Sequence, residues 1–322
     1  MKTLITGGAG FIGSHLVEYL ISKGEQVVVL DDFTGSKEVN LSSSINHEFV
    51  EVVNGSILDQ NLVTELMQSV SKCYHLAAVL GVERINTDPI KSLDVNIRGS
   101  EIVLSTASKF KVRTLITSSS EVYGRNPKMP LSEESDRVLG SPKVARWSYS
   151  EAKAIDEFHA FELNKKDSFE VTIARLFNTV GSRQNGSYGM VLPRFVKAAL
   201  SNQPLIVHGD GNQSRSFCAV SDVVIALDQL IKSSNSIGQA YNIGSTSEIS
   251  IKDLALKVIK QTGSNSELSY KNHNDVFGEN FEEPARRVPD ISKIFKTINW
   301  QPKKSLDEII IEVAEYMKSN EV

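Results

Sequence analysis

The sequence predicts an α/β chain: a doubly wound parallel sheet with helices on both faces, followed by a smaller C-terminal α/β domain. Three observations predict it. Short apolar runs alternate with longer amphipathic ones through the first half of the 322 residues. A glycine-rich stretch falls between the first apolar run and the first amphipathic segment. After Asn178 the alternation loosens into scattered helical stripes. Alternating strands and helices imply crossover connections, and these cover both faces of a parallel sheet.

Taken in order, residues 2–6 read as a strand. Residues 11–23 follow, with Phe11, Ile12, Leu16, Leu20 and Ile21 on one helical stripe. The run Gln-Val-Val-Val-Leu at 26–30 is a buried strand, and 49–53 and 73–77 are two more. A long helix is expected over 90–110, a strand over 113–117, a helix over 148–164 and a strand over 171–176. Residues 181–189 are polar and glycine-rich, the composition of a mobile loop. Helical pieces are expected at 191–200, 222–232, 251–261 and 305–318. The first domain is placed at 1–175 and the second at 176–322, with part of 217–245 returning to the sheet.

Composition narrows the function classes. At 40% hydrophobic residues the chain can bury about two domain cores. A formal charge of −4 does not suit a protein that grips nucleic acid by bulk charge. Two distant cysteines, Cys73 and Cys218, read as reduced thiols of a cytoplasmic protein. Cys218 reads as packed rather than reactive. The six histidines show no metal-ligand spacing, and there is no C-x2-C, so no metal site is expected. No run reaches the roughly 18 apolar residues of a membrane helix. The first residues lead straight into the glycine-rich stretch, so no secretory leader is expected.

That stretch is Thr6-Gly7-Gly8-Ala9-Gly10-Phe11-Ile12-Gly13, a G-x-x-G-x-x-G between a strand and a helix. Glycines there let the backbone turn sharply and approach a pyrophosphate, whose charge sits at the helix N-terminus. The next strand leads to Asp31, 18 residues beyond Gly13. An acid there accepts hydrogen bonds from the adenosine ribose and repels a 2′-phosphate, which favours NAD over NADP. The bland alternative is a tight turn with Asp31 as a loop cap.

Tyr149 and Lys153 are four apart on an expected helix and so share a face. A neighbouring ammonium, together with a positive nicotinamide, would favour the phenolate, so that Tyr149 could take a proton from a sugar hydroxyl as hydride leaves. Alone, Y-x3-K is common on any helix surface. Upstream, Thr117-Ser118-Ser119-Ser120-Glu121-Val122-Tyr123-Gly124 closes a strand, and sites assemble at the ends of parallel strands. Ser119 can share the reacting proton with Tyr149.

Together, the glycine turn, Asp31, Tyr74-His75-Leu76-Ala77-Ala78, the Ser118–Gly124 stretch and Y-x3-K resemble the extended short-chain dehydrogenase/reductases. These are the NAD-dependent epimerases, dehydratases and decarboxylases of nucleotide sugars, built on a Rossmann domain and a substrate domain. Asn96-Ile97-Arg98-Gly99, Arg175-Leu176-Phe177-Asn178, His208-Gly209-Asp210-Gly211 with Arg215, and Tyr241-Asn242-Ile243-Gly244 extend the likeness over essentially the whole chain. The resemblance implies cofactor contacts from Gly7, Gly10, Phe11, Ile12, Gly13, Asp31, Asp59, Leu76, Ala77, Ala78, Asn96, Tyr149 and Lys153. It implies catalysis by Ser119, Glu121, Tyr149, Lys153 and Arg287, and sugar or diphosphate contacts from Ser120, Asn178, Val191, Arg215 and Arg287. It also implies a UDP-sugar substrate and a homodimer built on the helices at 90–110 and 148–164. Ser56 departs from the acid often found near the adenine.

Members share oxidation at sugar C4 and differ afterwards. Glu121 stands where dehydratases and decarboxylases carry a functional glutamate, while Ser120 stands where many dehydratases add an aspartate. Arg146-Trp147-Ser148-Tyr149 is similar to the R-W-x-Y of UDP-apiose/xylose synthase and of a UDP-glucuronate decarboxylase. The segment Phe277-Gly278-Glu279-Asn280-Phe281 through Arg286-Arg287 resembles the same enzymes, with Phe281 in place of their usual tyrosine. A 4-keto uronic acid loses CO2 readily, and Arg287 could hold its carboxylate while Glu121 or Arg287 manages the proton at C5. UDP-glucuronate decarboxylation is therefore the leading expectation. A UDP-sugar 4-epimerase, a dehydratase and a catalytically silent NAD-binding module remain as alternatives. Glu121 as a structural carboxylate, Arg286 in place of Arg287, Arg215 as a surface charge, Asn178 as a turn residue and Trp147 as packing also stay open.

Overall fold

The computed structural model describes residues 2–79, 89–184, 186, 190–272 and 284–320. Seven strands form one sheet: β1 (Lys2–Thr6), β2 (Val27–Asp31), β3 (Val50–Asn54), β4 (Val70–His75), β5 (Arg113–Ser119), β6 (Val171–Leu176) and a seventh, Gln239–Ile243. From one edge their order is β3, β2, β1, β4, β5, β6 and the seventh, and every neighbouring pair is parallel. This is the Rossmann order, which reverses direction between β1 and β4.

The strands alternate their side chains between two cores. Ile5, Val27 and Val29 pack with Leu16 and Leu20 of the helix Phe11–Ser22 and with Val223 and Leu227 of the helix Val220–Lys232. Leu4, Val28 and Leu30 face the other way, onto Val63 and Leu66, Val103 and Leu104, and Ala160. Both faces are covered, which is why the strand sequences read as unbroken apolar runs. A third core lies beyond the sheet, where Phe195, Leu254, Val258, Ile310 and Val313 join the helices Val191–Leu200, Ile251–Thr262 and Leu306–Ser319.

Two elements differ from expectation. The stretch 90–110 is not one continuous helix. A short helix Pro89–Leu93 leads into a π-helical turn, Asp94–Gly99, and then the helix Ser100–Lys109. The helix Gln60–Gln68 was not anticipated; its apolar positions Val63, Leu66 and Met67 sit among polar residues that dilute the stripe. Among the described residues no helix is long and apolar enough to cross a membrane.

Candidate active site

A cleft of about 1190 Å³ runs along the carboxyl ends of the strands and is roofed by residues of the C-terminal half. The glycine turn lines its floor at the point where strand order reverses, the usual ligand crevice of such sheets. Gly7 has φ +72°, which favours glycine. A Cβ on Gly13 would lie 2.2 Å from the Gly7 carbonyl oxygen, so a side chain there would fill the turn. The helix Phe11–Ser22 begins at Gly10 with no side-chain cap, leaving its first N–H groups to face the cleft. A turn stripped of side chains at an uncapped helix N-terminus fits a dinucleotide pyrophosphate.

Phe11, Ile12, Leu76, Ala77 and Ala78 line the same stretch, and Asp31 borders it. The Asp31 carboxylate accepts from the Ala9 amide at 2.9 Å, the Phe33 amide at 3.0 Å and the Ser36 hydroxyl at 2.7 Å. Asp31 therefore clips the glycine turn to β2 while facing the cleft. Two expected cofactor contacts do not line the cleft. Asp59 is exposed and caps the helix Gln60–Gln68, accepting from the amides of Asn61 and Leu62. Its carboxylate serves the helix end, an ordinary use of an aspartate one residue before a helix. Asn96 is buried in the π-helical turn, where it accepts from the Val79 amide at 2.7 Å and donates to the Val79 carbonyl at 3.1 Å. It shapes the backbone after Ala78 rather than facing the cleft. Gly55 and Ile57 line the cleft, whereas Ser56 between them accepts from the Leu58 amide.

Ser119, Ser120 and Glu121, at the end of β5, meet Tyr149 and Lys153 of the helix Arg146–Asp167 in the cleft. The Ser119 side chain is hydrogen-bonded to the Tyr149 phenol and accepts from the Glu121 amide at 3.2 Å. The protein's own groups do not make the phenol acidic. Burial raises the Tyr149 pKa above that of an ordinary phenol, and the Glu121 and Asp156 carboxylates raise it further, against the pull of Ser119. Lys153 is 2% exposed and its ammonium is engaged by Asp156 at 3.1 Å.

Glu121 sits between two arginines. Arg287 pairs with it through both terminal nitrogens, and Arg146 Nη2 donates to it at 3.1 Å. Burial opposes the Glu121 charge, but the guanidiniums of Arg287 and Arg146, with Arg215 beyond them, prevail and hold its pKa down to about 2. Arg287 is the inward member of its pair: it is 3% exposed, and its Nη2 also donates to the Gly124 carbonyl at 3.3 Å. Arg286 instead pairs with Glu248 on the exposed side. Arg215 is buried in the cleft wall and donates to the Ser214 carbonyl at 2.7 Å, so it is no surface charge. Asn178 donates to the Ser216 carbonyl at 3.1 Å and lines the cleft with Val191. Trp147 is buried beside the Arg146 guanidinium, and Cys218 is a buried thiol with a raised pKa. The stretch Phe277–Phe281 lies outside the described residues.

Arg146 is a cleft residue to which sequence reasoning gave no role. Its signal was present in the R-W-x-Y stretch, three residues before Tyr149, on the first turn of the same helix.

The family model described as GDP-mannose 4,6 dehydratase matches residues 4–313. A UDP-N-acetyl-alpha-D-glucosaminuronate decarboxylase of Bacillus cytotoxicus is 35% identical over 328 residues, spanning 99% of this chain and 98% of that one. A UDP-glucuronic acid decarboxylase of Xenopus tropicalis is 34% identical, over 98% of this chain and 72% of its own. Among solved structures, a UDP-glucuronic acid 4-epimerase of Bacillus cereus, in complex with UDP-glucuronic acid and NAD, superposes with a TM-score of 0.89 at 28% identity. That match covers 99% of this chain and all of the other.

Proposed function

We propose a reaction for this chain from its family: it belongs to the GDP-mannose 4,6 dehydratase family of extended short-chain dehydrogenase/reductases, the NAD-dependent enzymes of nucleotide sugars. The reaction is decarboxylation of a UDP-linked uronic acid through a 4-keto intermediate. One observation carries it: in the cleft with Tyr149, the buried Arg287 guanidinium is held on the Glu121 carboxylate. Among the described residues the buried Arg287 Nε has no hydrogen-bond partner, and a neutral sugar brings no anion to that guanidinium. A sugar carrying its own carboxylate brings one.

The chain's groups divide the work. In its phenolate form Tyr149 takes the proton of the C4 hydroxyl, with Ser119 hydrogen-bonded to its oxygen. NAD, held along the glycine turn, supplies the hydride acceptor at C4 and the donor that later restores it. The ketone at C4 stands β to the sugar carboxylate, so the electrons released with CO2 pass onto the C4 oxygen. Donors from Tyr149 and Ser119 stabilise that oxyanion. Glu121, ionised down to a pH of about 2, has no proton to give C5 at neutral pH, so the C5 proton that replaces CO2 comes from solvent water. The part of Glu121 is to hold Arg146 and Arg287 where the sugar carboxylate arrives. Arg215 serves the diphosphate.

Purified protein loaded with NAD should release CO2 from UDP-glucuronate or UDP-N-acetylglucosaminuronate. Arg287→Ala should lower that release by about 10²–10³-fold and leave NAD binding unchanged. A C4 epimer formed with no loss of carbon would favour 4-epimerisation of the same uronic acid, the activity for which the Bacillus cereus enzyme is named.

The working unit in this reading is a cytoplasmic homodimer. Ile155 and Phe158, on the helix Arg146–Asp167, are 46% and 70% exposed, and Ile90 on the neighbouring short helix is 76% exposed. Burying such a patch against a second copy removes apolar area from water. Sedimentation should give a dimer for the native chain and a monomer for Phe158→Asp.

A further inference from the structure

We propose that Asp156 is a positioning residue of the hydride-transfer site: a buried counter-ion that fixes the Lys153 ammonium and, with it, the charge balance around the Tyr149 phenol. Tyr149, Lys153 and Asp156 follow one another at helical spacing on one face. Lys153 Nζ donates to Asp156 Oδ2 at 3.1 Å, and neither residue is more than 3% exposed. The same carboxylate oxygen accepts from Ser100 Oγ at 3.2 Å. Ser100 Oγ lies 3.0 Å from His75 Nε2, and His75 Nδ1 lies 2.7 Å from Thr6 Oγ1. Ser100, His75 and Thr6 are all buried.

The chain has one consistent direction. Burial, and then the charge of Lys153, hold His75 neutral, with its pKa lowered to about 3. A neutral imidazole donates from one nitrogen and accepts at the other. Asp156, as a carboxylate, only accepts, so Ser100 donates to it. Ser100 must then accept from His75 Nε2–H, and His75 Nδ1 accepts from the Thr6 hydroxyl. Burial raises the Asp156 pKa, and the charge and hydrogen bond of Lys153 and the hydrogen bond from Ser100 favour its anionic form against that. The chain starts at the last residue of β1, next to Gly7, and ends on the lysine of the reaction site. It therefore ties the cofactor turn to the reacting helix through β4 and the helix Ser100–Lys109. The Thr6 hydroxyl accepts from the Ala77 amide at 3.3 Å, inside the sheet, so the chain is an anchor.

Tyr149 meets Glu121 and Ser119 from the end of β5 and Asp156 from its own helix, where Lys153 lies one turn on. Asp156 in turn meets Lys153 and His159 from that helix and Ser100 from its neighbour. Removing the Asp156 charge takes away one of the two carboxylates that hold the phenol protonated. It also frees the Lys153 ammonium to act on the phenol. Both changes favour ionisation of Tyr149. The inference rests on the family's use of Tyr149 and Lys153, and failure of the decarboxylase reading leaves it intact.

The test is a tyrosinate absorbance titration of the NAD-loaded protein, with the matching Tyr149→Phe protein subtracted. Asp156→Asn should raise the Tyr149 acid dissociation constant by about threefold or more. The acid limb of the rate at which UDP-glucuronate or UDP-glucose reduces bound NAD should move to lower pH by the same factor. Asp156→Ser, smaller and equally neutral, should do likewise. A purely structural Asp156 would lower thermal stability and leave the titration where it is. An unmoved or opposite titration overturns the proposal, and so does failure of both neutral variants to fold into an NAD-binding protein.

Discussion

Glu121 shows how far a single side chain can be read from its neighbours. The carboxylate is held ionised against burial by Arg287 first and Arg146 next. With its folded pKa depressed to about 2, the stability it contributes is complete above the unfolded carboxylate range, near 4.3. That contribution is lost as the pH falls toward 2. Thermal melts of the native chain and of Glu121→Gln should therefore differ by a constant gap from pH 5 to 8, which closes between pH 4 and 2. A gap that persists at pH 2 would mean that the Glu121 charge is not what binds the two arginines. The sequence made Ser119, Glu121, Tyr149 and Lys153 legible because each lies within a short stretch closing a strand or lining a helix face. The pairing of Glu121 with Arg287 spans 166 positions, and no local pattern announces it. Asp156 was within reach: an acid three residues after a lysine on one helix is a recognisable pair. The sequence pointed to a lowered Tyr149 pKa because it shows neither the burial of the phenol nor the approach of the Glu121 and Asp156 carboxylates.

At the scale of elements, the turn from β1 to the first helix and the cap at Asp59 make a contrasting pair. Both were read from the sequence as cofactor contacts, and the structure gives them different jobs. A methyl group on Gly13 meets the Gly7 carbonyl, so Gly13→Ala must displace the backbone that cradles the pyrophosphate. NAD affinity should fall by about 10- to 100-fold, as overpacking of this order costs 1–3 kcal/mol. Asp59→Ala should leave NAD affinity alone and cost about 1 kcal/mol of stability through the lost cap. Calorimetric titration with NAD separates the two, and loss of affinity in Asp59→Ala would return that residue to the cofactor. The strands were legible because burial on both faces leaves continuous apolar runs. The π-helical turn at Asp94–Gly99 was not, because an extra residue in one turn barely disturbs the stripe on either side. Several motif residues also serve the frame. Arg175 pairs with Glu157 at 2.7 Å and donates to the Tyr123 hydroxyl at 2.9 Å, which in turn donates to Asn242. Family motifs thus mark a buried polar frame as well as chemistry.

The whole molecule places its cleft between cores that do not share side chains. The two faces of the sheet supply the glycine turn, Ser119 and Tyr149, and the third core carries Val191 and Phe217, two residues after Arg215. Arg287 reaches the site from the far C-terminal segment, which is joined to the loop after β5 by the Leu131 amide bonding to the Val288 carbonyl. This division was only coarsely visible in sequence, as a change of pattern after Asn178, because the roof is assembled from separated pieces. A ligand that touches floor and roof at once is bound only by the assembled molecule, so it should stabilise the fold as one unit. At 100 times its dissociation constant it adds about 2.7 kcal/mol. For a chain of 322 residues that corresponds to a rise in Tm of about 4 °C. UDP-glucuronate added to NAD-loaded protein should give this shift, and Arg287→Ala should lose most of it while keeping the shift due to NAD. UDP-glucose should give a smaller shift, because it brings no carboxylate to Arg146 and Arg287. Equal shifts from the two sugars would remove the argument from charge and, with it, the uronic acid as substrate.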